Sequence, residues 1–137
     1  MCHRLAILWD NNEMPGKSEI GILGENLATN FLKSQGWQIL GRNIRGRGGE
    51  IDILAKDRNG TLVFVEVKTL QTVPGGLMPE DHLTRAKLRK LRRMAELISS
   101  KNPELVREDK GWRIDLVAIR IGDVGEPEIK YYENISF

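Results

Sequence analysis

Residues 61–68, with the sequence TLVFVEVK, constrain the fold of this chain more than any other stretch. Side chains alternate between the two faces of a β-strand, and both faces are apolar here until Glu66 and Lys68. A strand that is apolar on both faces is typical of a sheet centre covered on both sides. A carboxylate and an ammonium at the end of such a strand are costly to bury unless they are paired or bind a ligand. This end of the strand is therefore the leading candidate for a metal site.

The pattern of apolar residues and turn residues around this strand predicts one α/β domain with the element order α-β-β-β-α-β-β. One helix is predicted between a capping Ser18 and Gly36, with an apolar stripe that includes Leu23 and Phe31, and the other over residues 82 to about 100. The predicted strands are 37–44, 50–55, 61–68, 112–121 and 128–133. Residues 1–17 are predicted to form a loosely ordered leader, residues 74–79 a loop, and residues 18–137 the domain.

The composition excludes several classes of protein. A chain of 137 residues with 40% hydrophobic residues can form one domain with a real core. The single cysteine, Cys2, excludes an intrachain disulfide. The sequence has no apolar run near the roughly 20 residues that span a bilayer, and its start makes a poor signal peptide. We therefore expect a cytoplasmic protein with no membrane partner. The sequence also lacks a Walker-type loop and the spacing of a zinc site.

Asp52 is the first candidate partner for Glu66. It follows Glu50 and Ile51 on the preceding predicted strand, where Ile51 and Ile53 are predicted to share one face. If these two strands form a hairpin, Asp52 lies beside Glu66, and two adjacent carboxylates repel unless a cation lies between them. Mg²⁺ or Mn²⁺ suits such oxygen ligands, and Lys68 then faces the same site. Such a set is suited to phosphodiester hydrolysis. A surface salt bridge between Glu66 and Lys68 explains the spacing equally well.

Glu25 and Lys87 are further candidates, one on each predicted helix. Glu25 flanks the apolar stripe of the first helix, where a partly buried carboxylate could join the metal site; an ordinary surface glutamate fits the pattern equally well. Lys87 falls on the apolar stripe of the second helix, where a lysine more often extends to the edge than contacts a phosphate. The basic residues near these positions favour a polyanion, although a solvated helix face is also common. They are Arg45 and Arg47 in a glycine-rich turn, and Arg85, Lys87, Arg89 and Lys90 on the second helix.

Taken together, these motifs resemble the YraN-type family of small bacterial proteins. The resemblance rests on Gly24-Glu25-x-x-Ala28, on Gly49-Glu50-Ile51-Asp52, on the stretch ending in Glu66-Val67-Lys68, and on Arg113-Ile114-Asp115 after the basic helix. Members are predicted endonucleases, distantly similar to archaeal Holliday-junction resolvases of the PD-(D/E)XK superfamily.

The resemblance implies a restriction-endonuclease-like core, a mixed sheet flanked by helices. It implies that Asp52 and Glu66 are the motif acids, that Lys68 is the motif lysine, and that Glu25 completes the site. It further implies Mg²⁺ or Mn²⁺ as the cofactor, DNA as the partner and a homodimer. Leu70 departs from the pattern, since many members carry a basic residue there. A nucleic-acid-binding protein without catalysis, on the same fold, is the alternative.

Overall fold

The structure is a computed structural model that describes residues 18–71 and 83–135. The predicted leader, residues 1–17, and the predicted loop, residues 74–79, lie outside the described residues. The element order confirms the prediction of a mixed α/β fold with a sheet flanked by helices. The elements are α1 (Glu19–Ser34), β1 (Gln38–Gly46), β2 (Gly49–Lys56), β3 (Leu62–Gln71), α2 (Arg85–Lys101), a 3-10 turn (Pro103–Leu105), β4 (Trp112–Ile121) and β5 (Glu128–Tyr132).

The ends of the helices follow from their caps. The hydroxyl of Ser18 accepts a hydrogen bond from the amide of Gly21 at 3.1 Å, which confirms Ser18 as the cap of α1. On α2, the hydroxyl of Thr84 accepts from the amide of Lys87 at 3.2 Å. The predicted start of this helix at His82 is therefore wrong, because the cap lies at Thr84 and the helix begins at Arg85. Neither helix in the described part of the chain is long and apolar enough to cross a membrane.

The five strands form one sheet in the order β1-β2-β3-β4-β5. Neighbouring strands are antiparallel except β3 and β4, which run parallel with Leu62 opposite Trp112 and Lys68 opposite Ala118. A parallel connection needs a crossover, and α2 lies on the segment between these two strands. Because β3 is the middle strand, its side chains are covered on both faces, as its sequence predicts.

Each helix covers one face of the sheet and closes one core. Below α2, the core contains Leu62 and Phe64 of β3, and below α1 it contains Val63, Val65 and Val67 of the same strand. The alternation of β3 therefore separates two apolar cores. It also directs Glu66 and Lys68, which follow Phe64 at intervals of two, toward the α2 face.

Helix α1 approaches β3 closely at Gly24. A Cβ atom at this position would lie 1.8 Å from the Thr69 hydroxyl oxygen, so that a larger residue requires the helix or the strand to move. The buried stripe is consequently centred on Gly24, Ala28 and Leu32, whereas Leu23, predicted to be on the apolar stripe, is 45% exposed. The close contact rotates the helix so that its small residues face the sheet.

Candidate active site

Glu66 and Lys68 form an ion pair within the central strand, because β3 continues to Gln71 and the predicted end of the strand at Lys68 is wrong. The Lys68 ammonium lies 3.1 Å from the carboxylate of Glu66, and both side chains are largely buried. The pair is therefore a partly desolvated feature and not the surface salt bridge that the spacing alone also allows. Water screens the charges of a buried pair less than those of an exposed pair. A ligand that approaches Glu66 and Lys68 therefore experiences their charges more strongly.

Asp52 joins this pair because β2 and β3 separate beside it. The ladder between the two strands ends where Ile53 faces Val65. Immediately beyond that point, the carboxylate of Asp52 accepts a hydrogen bond from the backbone amide of Val67 at 2.9 Å. A side-chain carboxylate thus contacts the amide between Glu66 and Lys68. The predicted approach of Asp52 to Glu66 through a hairpin agrees with this contact.

The separation of the strands also changes the direction of the neighbouring side chains. Ile51 packs in the core below α2, whereas Ile53 packs in the core below α1. The prediction that these two residues share one face is therefore wrong. The alternation of side chains between the two faces of β2 is broken at Asp52. The carboxylate of this residue keeps β2 in contact with β3 beyond the last backbone pair of the ladder.

Lys87 brings a second amine to the same place from the first turn of α2, where it accepts a hydrogen bond from the Lys68 ammonium when it is neutral. Hydrogen bonding with Lys68, then burial, lower the pKa of Lys87, and they outweigh the opposite effect of the two carboxylates, Glu66 and Asp52. Burial disfavours the charged form of Lys68, but Lys87 and Glu66 outweigh it and raise the pKa of Lys68. We call Asp52, Glu66, Lys68 and Lys87 the carboxylate–lysine cluster. The cluster contains two carboxylates and two lysines. Of the two lysines, Lys68 holds its proton more firmly than Lys87 does.

Glu25 is buried, with only 3% of its surface exposed, so the interpretation as a surface glutamate is wrong. It belongs to α1, on the face of the sheet opposite to α2, and follows Gly24 at the close contact with Thr69. Across residues 18–71 and 83–135, no group of three or more His, Cys, Asp or Glu side chains has the spacing to hold one metal ion. The structure therefore brings Asp52, Glu66 and Lys68 together but does not gather a three-carboxylate site that includes Glu25.

The predicted basic residues lie near the cluster and face outward. Arg85, Arg89 and Lys90 are exposed on α2, and Arg47 is exposed in the turn between β1 and β2. Arg45, on β1 before that turn, is partly buried. Gly46 and Gly49, on either side of this turn, pack against Met94 of α2, so the turn lies next to the helix.

A second charged group lies on the α1 side of the sheet, around the first residues of β4. The guanidinium of Arg113 contacts Asp115 at 3.0 Å and Asp57 at 2.7 Å, and Tyr131 donates a hydrogen bond to Asp115. We call Asp57, Arg113, Asp115 and Tyr131 the arginine network. The pair between Arg113 and Asp115 agrees with their spacing of two on one strand, which places both side chains on the same face. Burial disfavours the charged form of Arg113, yet its carboxylate partners, Asp115 foremost, raise the pKa above its ordinary value.

Comparison with known proteins places the chain among bacterial relatives. Residues 24–119 match the family described as "Uncharacterised protein family UPF0102", in agreement with the resemblance to the YraN-type family. A UPF0102 protein of Trichlorobacter lovleyi is 40% identical over 119 residues, which cover 87% of this chain and 91% of that protein. A UPF0102 protein of Mycobacterium ulcerans is 42% identical over 124 residues, which cover 88% and 96%.

One solved structure shares a distant likeness with the fold. It is described as "The structure of Pyrococcus Furiosus SfsA in complex with Ca2+" and is 18% identical, with a TM-score of 0.38. The likeness covers 81% of this chain and 60% of that chain. A similarity at this level says nothing about the chemistry of the carboxylate–lysine cluster.

Proposed function

We propose that this chain, which belongs to the uncharacterised protein family UPF0102, is a metal-dependent endonuclease that hydrolyses phosphodiester bonds in structured DNA. The observation that carries the proposal is the hydrogen bond from the Val67 amide to Asp52. It holds one carboxylate against the strand segment that carries Glu66 and Lys68. Acid, acid and lysine side chains from two neighbouring strands thus meet on the α2 side of the sheet.

The donor set of the cluster fits a hard divalent cation. Asp52 and Glu66 would hold Mg²⁺ or Mn²⁺, with help from the Val67 carbonyl, and all of these ligands are oxygens. Magnesium sites commonly use one or two carboxylates with water and substrate phosphate, so two acids suffice without a third. When bound, the cation neutralises phosphate charge and lowers the pKa of water. Glu25, buried on α1, would not be a required ligand. It would support the site indirectly, through the packing of α1 against β3.

Lys68 would serve as a hydrogen-bond donor in the reaction. Its contact with Glu66 and its raised pKa keep it in the ammonium form, which has three donors and no acceptor. An ammonium cannot accept a proton from water, so Lys68 would orient the attacking water and stabilise the negative charge of the transition state. Removal of one such donor from an enzyme costs about 10²–10³ in rate.

The outward-facing basic residues would hold the DNA backbone. The arginines and lysines of α2 begin at Arg85 beside the cluster, and Arg45 and Arg47 are near them across Met94. Contacts of this kind fix the position of DNA without reading its sequence. A nuclease that acts on branched DNA needs such sequence-independent contacts. A homodimer would present two such surfaces to the two-fold symmetry of a four-way junction.

The proposal is tested with Glu66→Gln, which keeps the shape of the side chain and removes its charge. We expect the cleavage of labelled four-way, single-stranded and linear DNA in Mn²⁺ to fall about 10²–10³-fold. Glu126→Gln is the matched control, since it removes the same charge from an exposed loop and should cleave like the unchanged protein. Full activity in Glu66→Gln would refute the catalytic role.

A second candidate function is DNA binding without catalysis, which is favoured by the exposed basic residues of α2 and by the lack of a three-carboxylate group among the described residues. The two functions differ in their dependence on metal. Binding alone should fall steeply with salt and remain unchanged by a chelator. Calorimetric titration with Mn²⁺ separates them independently of activity, because a nuclease site should bind the ion and Asp52→Asn should weaken that binding.

A further inference from the structure

A cavity of about 220 Å³ lies between α2 and the beginning of β4, beyond the carboxylate–lysine cluster. The nuclease chemistry described above does not use it. Its walls are largely aliphatic and aromatic, and two arginines and an asparagine add polar groups. The residues that line it include Leu88, Arg92, Trp112, Ile114, Asn134 and Ile135.

The polar and aromatic groups of this cavity differ in how firmly they are held. Trp112 is partly exposed and packs edge-to-face against Phe64, with ring centroids 5.6 Å apart. Arg92 is 58% exposed, and its contact with Glu96 at 3.4 Å is a surface pair of the weak kind. Arg113 is already held by the arginine network. The cavity therefore offers an anchored indole ring and one guanidinium that can turn toward a ligand.

The cavity adjoins the proposed cleavage site. Lys87 belongs to the cluster, and the next residue on α2, Leu88, lines the cavity. On the sheet, Ile114 in the cavity wall lies four residues before Ala118, the partner of Lys68. That interval is about 13 Å at 3.3 Å per residue, or about four steps of duplex DNA at 3.4 Å per step.

We propose that this cavity receives one unpaired base of the bound DNA, a few nucleotides from the phosphate that is cut. The inference rests on the proposed function for the presence of DNA along α2. The outer surface of the helix is basic, which favours an anionic ligand, whereas the cavity itself is apolar and aromatic. A nucleotide combines these properties, since its phosphate is anionic and its base is a flat ring that stacks on aromatic and guanidinium groups.

The size of the cavity agrees with a single base. Sites for drug-sized ligands occupy about 300–1,000 Å³, so a cavity of this volume suits one smaller ring system. The side-chain amide of Asn134 offers both a donor and an acceptor to the edge of a base. Because a base inside a duplex is stacked and paired, only an unpaired or extruded base could enter. The substrate is accordingly DNA with unpaired nucleotides next to a duplex, such as a branch point or a bulge.

The test compares two fluorescent duplexes of equal length, one fully paired and one with a single unpaired base. Binding is measured in EDTA, so that no metal-dependent cleavage occurs. We expect the bulged duplex to bind about tenfold more tightly, the effect of stacking one base on an aromatic side chain. Leu88→Trp fills the cavity and should bring the ratio of the two affinities close to one. Arg92→Ala should lower the ratio as well.

Arg93→Ala is the matched control for Arg92→Ala. Both residues are exposed on the same helix and carry the same charge, but Arg93 does not line the cavity. Arg93→Ala should weaken binding to both duplexes equally and leave their ratio unchanged. Both alanine variants change surface positions, so the comparison holds even if Leu88→Trp fails to fold.

The outcomes distinguish this inference from the proposed nuclease function. A preference for the bulged duplex that is lost in Arg92→Ala supports the inference even if the protein never cuts DNA. Cleavage that depends on Glu66, together with equal affinity for the two duplexes, supports the nuclease and overturns the base-binding cavity. A preference that survives both Leu88→Trp and Arg92→Ala also overturns it. If neither duplex binds at all, both the inference and the proposed function fail.

Discussion

The carboxylate–lysine cluster and the arginine network lie on opposite faces of the sheet, the cluster on the α2 side and the network on the α1 side, and they differ in how their charges are arranged. In the network, the cation Arg113 lies between carboxylates, and the amides of Asn59 and Thr61 hydrogen-bond to Asp57. In the cluster, two lysines lie side by side, and the charge of Lys68 opposes a charge on Lys87. The network is therefore complete within the fold, whereas the cluster retains a repulsion that an anionic ligand would relieve.

This difference separates structural charges from functional ones on the two faces of the sheet. The network joins the turn after β2 to the beginning of β4 and the end of β5, three segments that are distant in sequence. The cluster joins only the separated ends of β2 and β3 with the start of α2. A group that ties segments together should matter for stability, and a group with unrelieved repulsion should matter for binding.

The largest effect on stability is expected for Arg113→Met. Asp115 is fully buried and Asp57 nearly so, and the change leaves both carboxylates without their cation. Breaking a buried pair in this way costs about 3–5 kcal/mol of unfolding free energy. Urea denaturation measures the loss. Arg120→Met is the control, because its contact with Glu128 at 3.8 Å is more exposed and should contribute about 0–1 kcal/mol. Equal stability of the two variants would contradict a structural role for the network.

A smaller effect, dependent on pH, is expected for Asp57→Asn. Burial alone would raise the pKa of Asp57, but hydrogen bonds from Arg113 and two backbone amides outweigh it and hold the pKa below 3.8. A depressed pKa in the folded state stabilises the fold above the unfolded pKa, and this contribution is lost as the pH falls through the folded value. Asp57→Asn should therefore lose about 1.5–3 kcal/mol at neutral pH.

The same variant should also lose less stability than the unchanged protein when the pH falls below about 4. Thermal unfolding between pH 2 and pH 7 measures both effects. Asp109→Asn is the control, since its pair with Arg107 is exposed and should shift neither curve. A parallel loss of stability in Asp57→Asn and the unchanged protein at acid pH would contradict the depressed pKa of Asp57.

The network also shows where sequence reasoning succeeds and where it fails. Arg113 and Asp115 are two residues apart on one strand, so alternation is enough to predict their pairing. The part played by Asp57 depends on the approach of β4 to a turn 56 positions earlier in the chain, and no local pattern carries that information. At the sequence level, Asp57 is an ordinary turn residue at the beginning of a hairpin.

The cluster divides in a similar way. The apolar alternation of β3 predicts the position of Glu66 and Lys68, and the hairpin predicts the approach of Asp52. Alternation fails at Ile51, because β2 leaves β3 at the point where Asp52 contacts the Val67 amide. The burial of Glu25 depends on the close approach of α1 at Gly24, which is a property of packing and not of helical periodicity.

The smallest effect on stability, and the sharpest contrast with the network, is expected for Lys87→Met. The change removes an amine whose charge Lys68 opposes and keeps most of the aliphatic side chain. The unfolding free energy should therefore stay the same or rise by at most about 1 kcal/mol, whereas removal of the cation from the network costs several times more.

DNA affinity at low salt should fall in the same variant, and the slope of its dependence on salt should decrease by about one counterion. Lys130→Met, at an exposed position on β5, is the control that should leave the slope unchanged. A clear loss of stability in Lys87→Met would mean that the second lysine supports the fold, and the contrast between the two charged groups would fail.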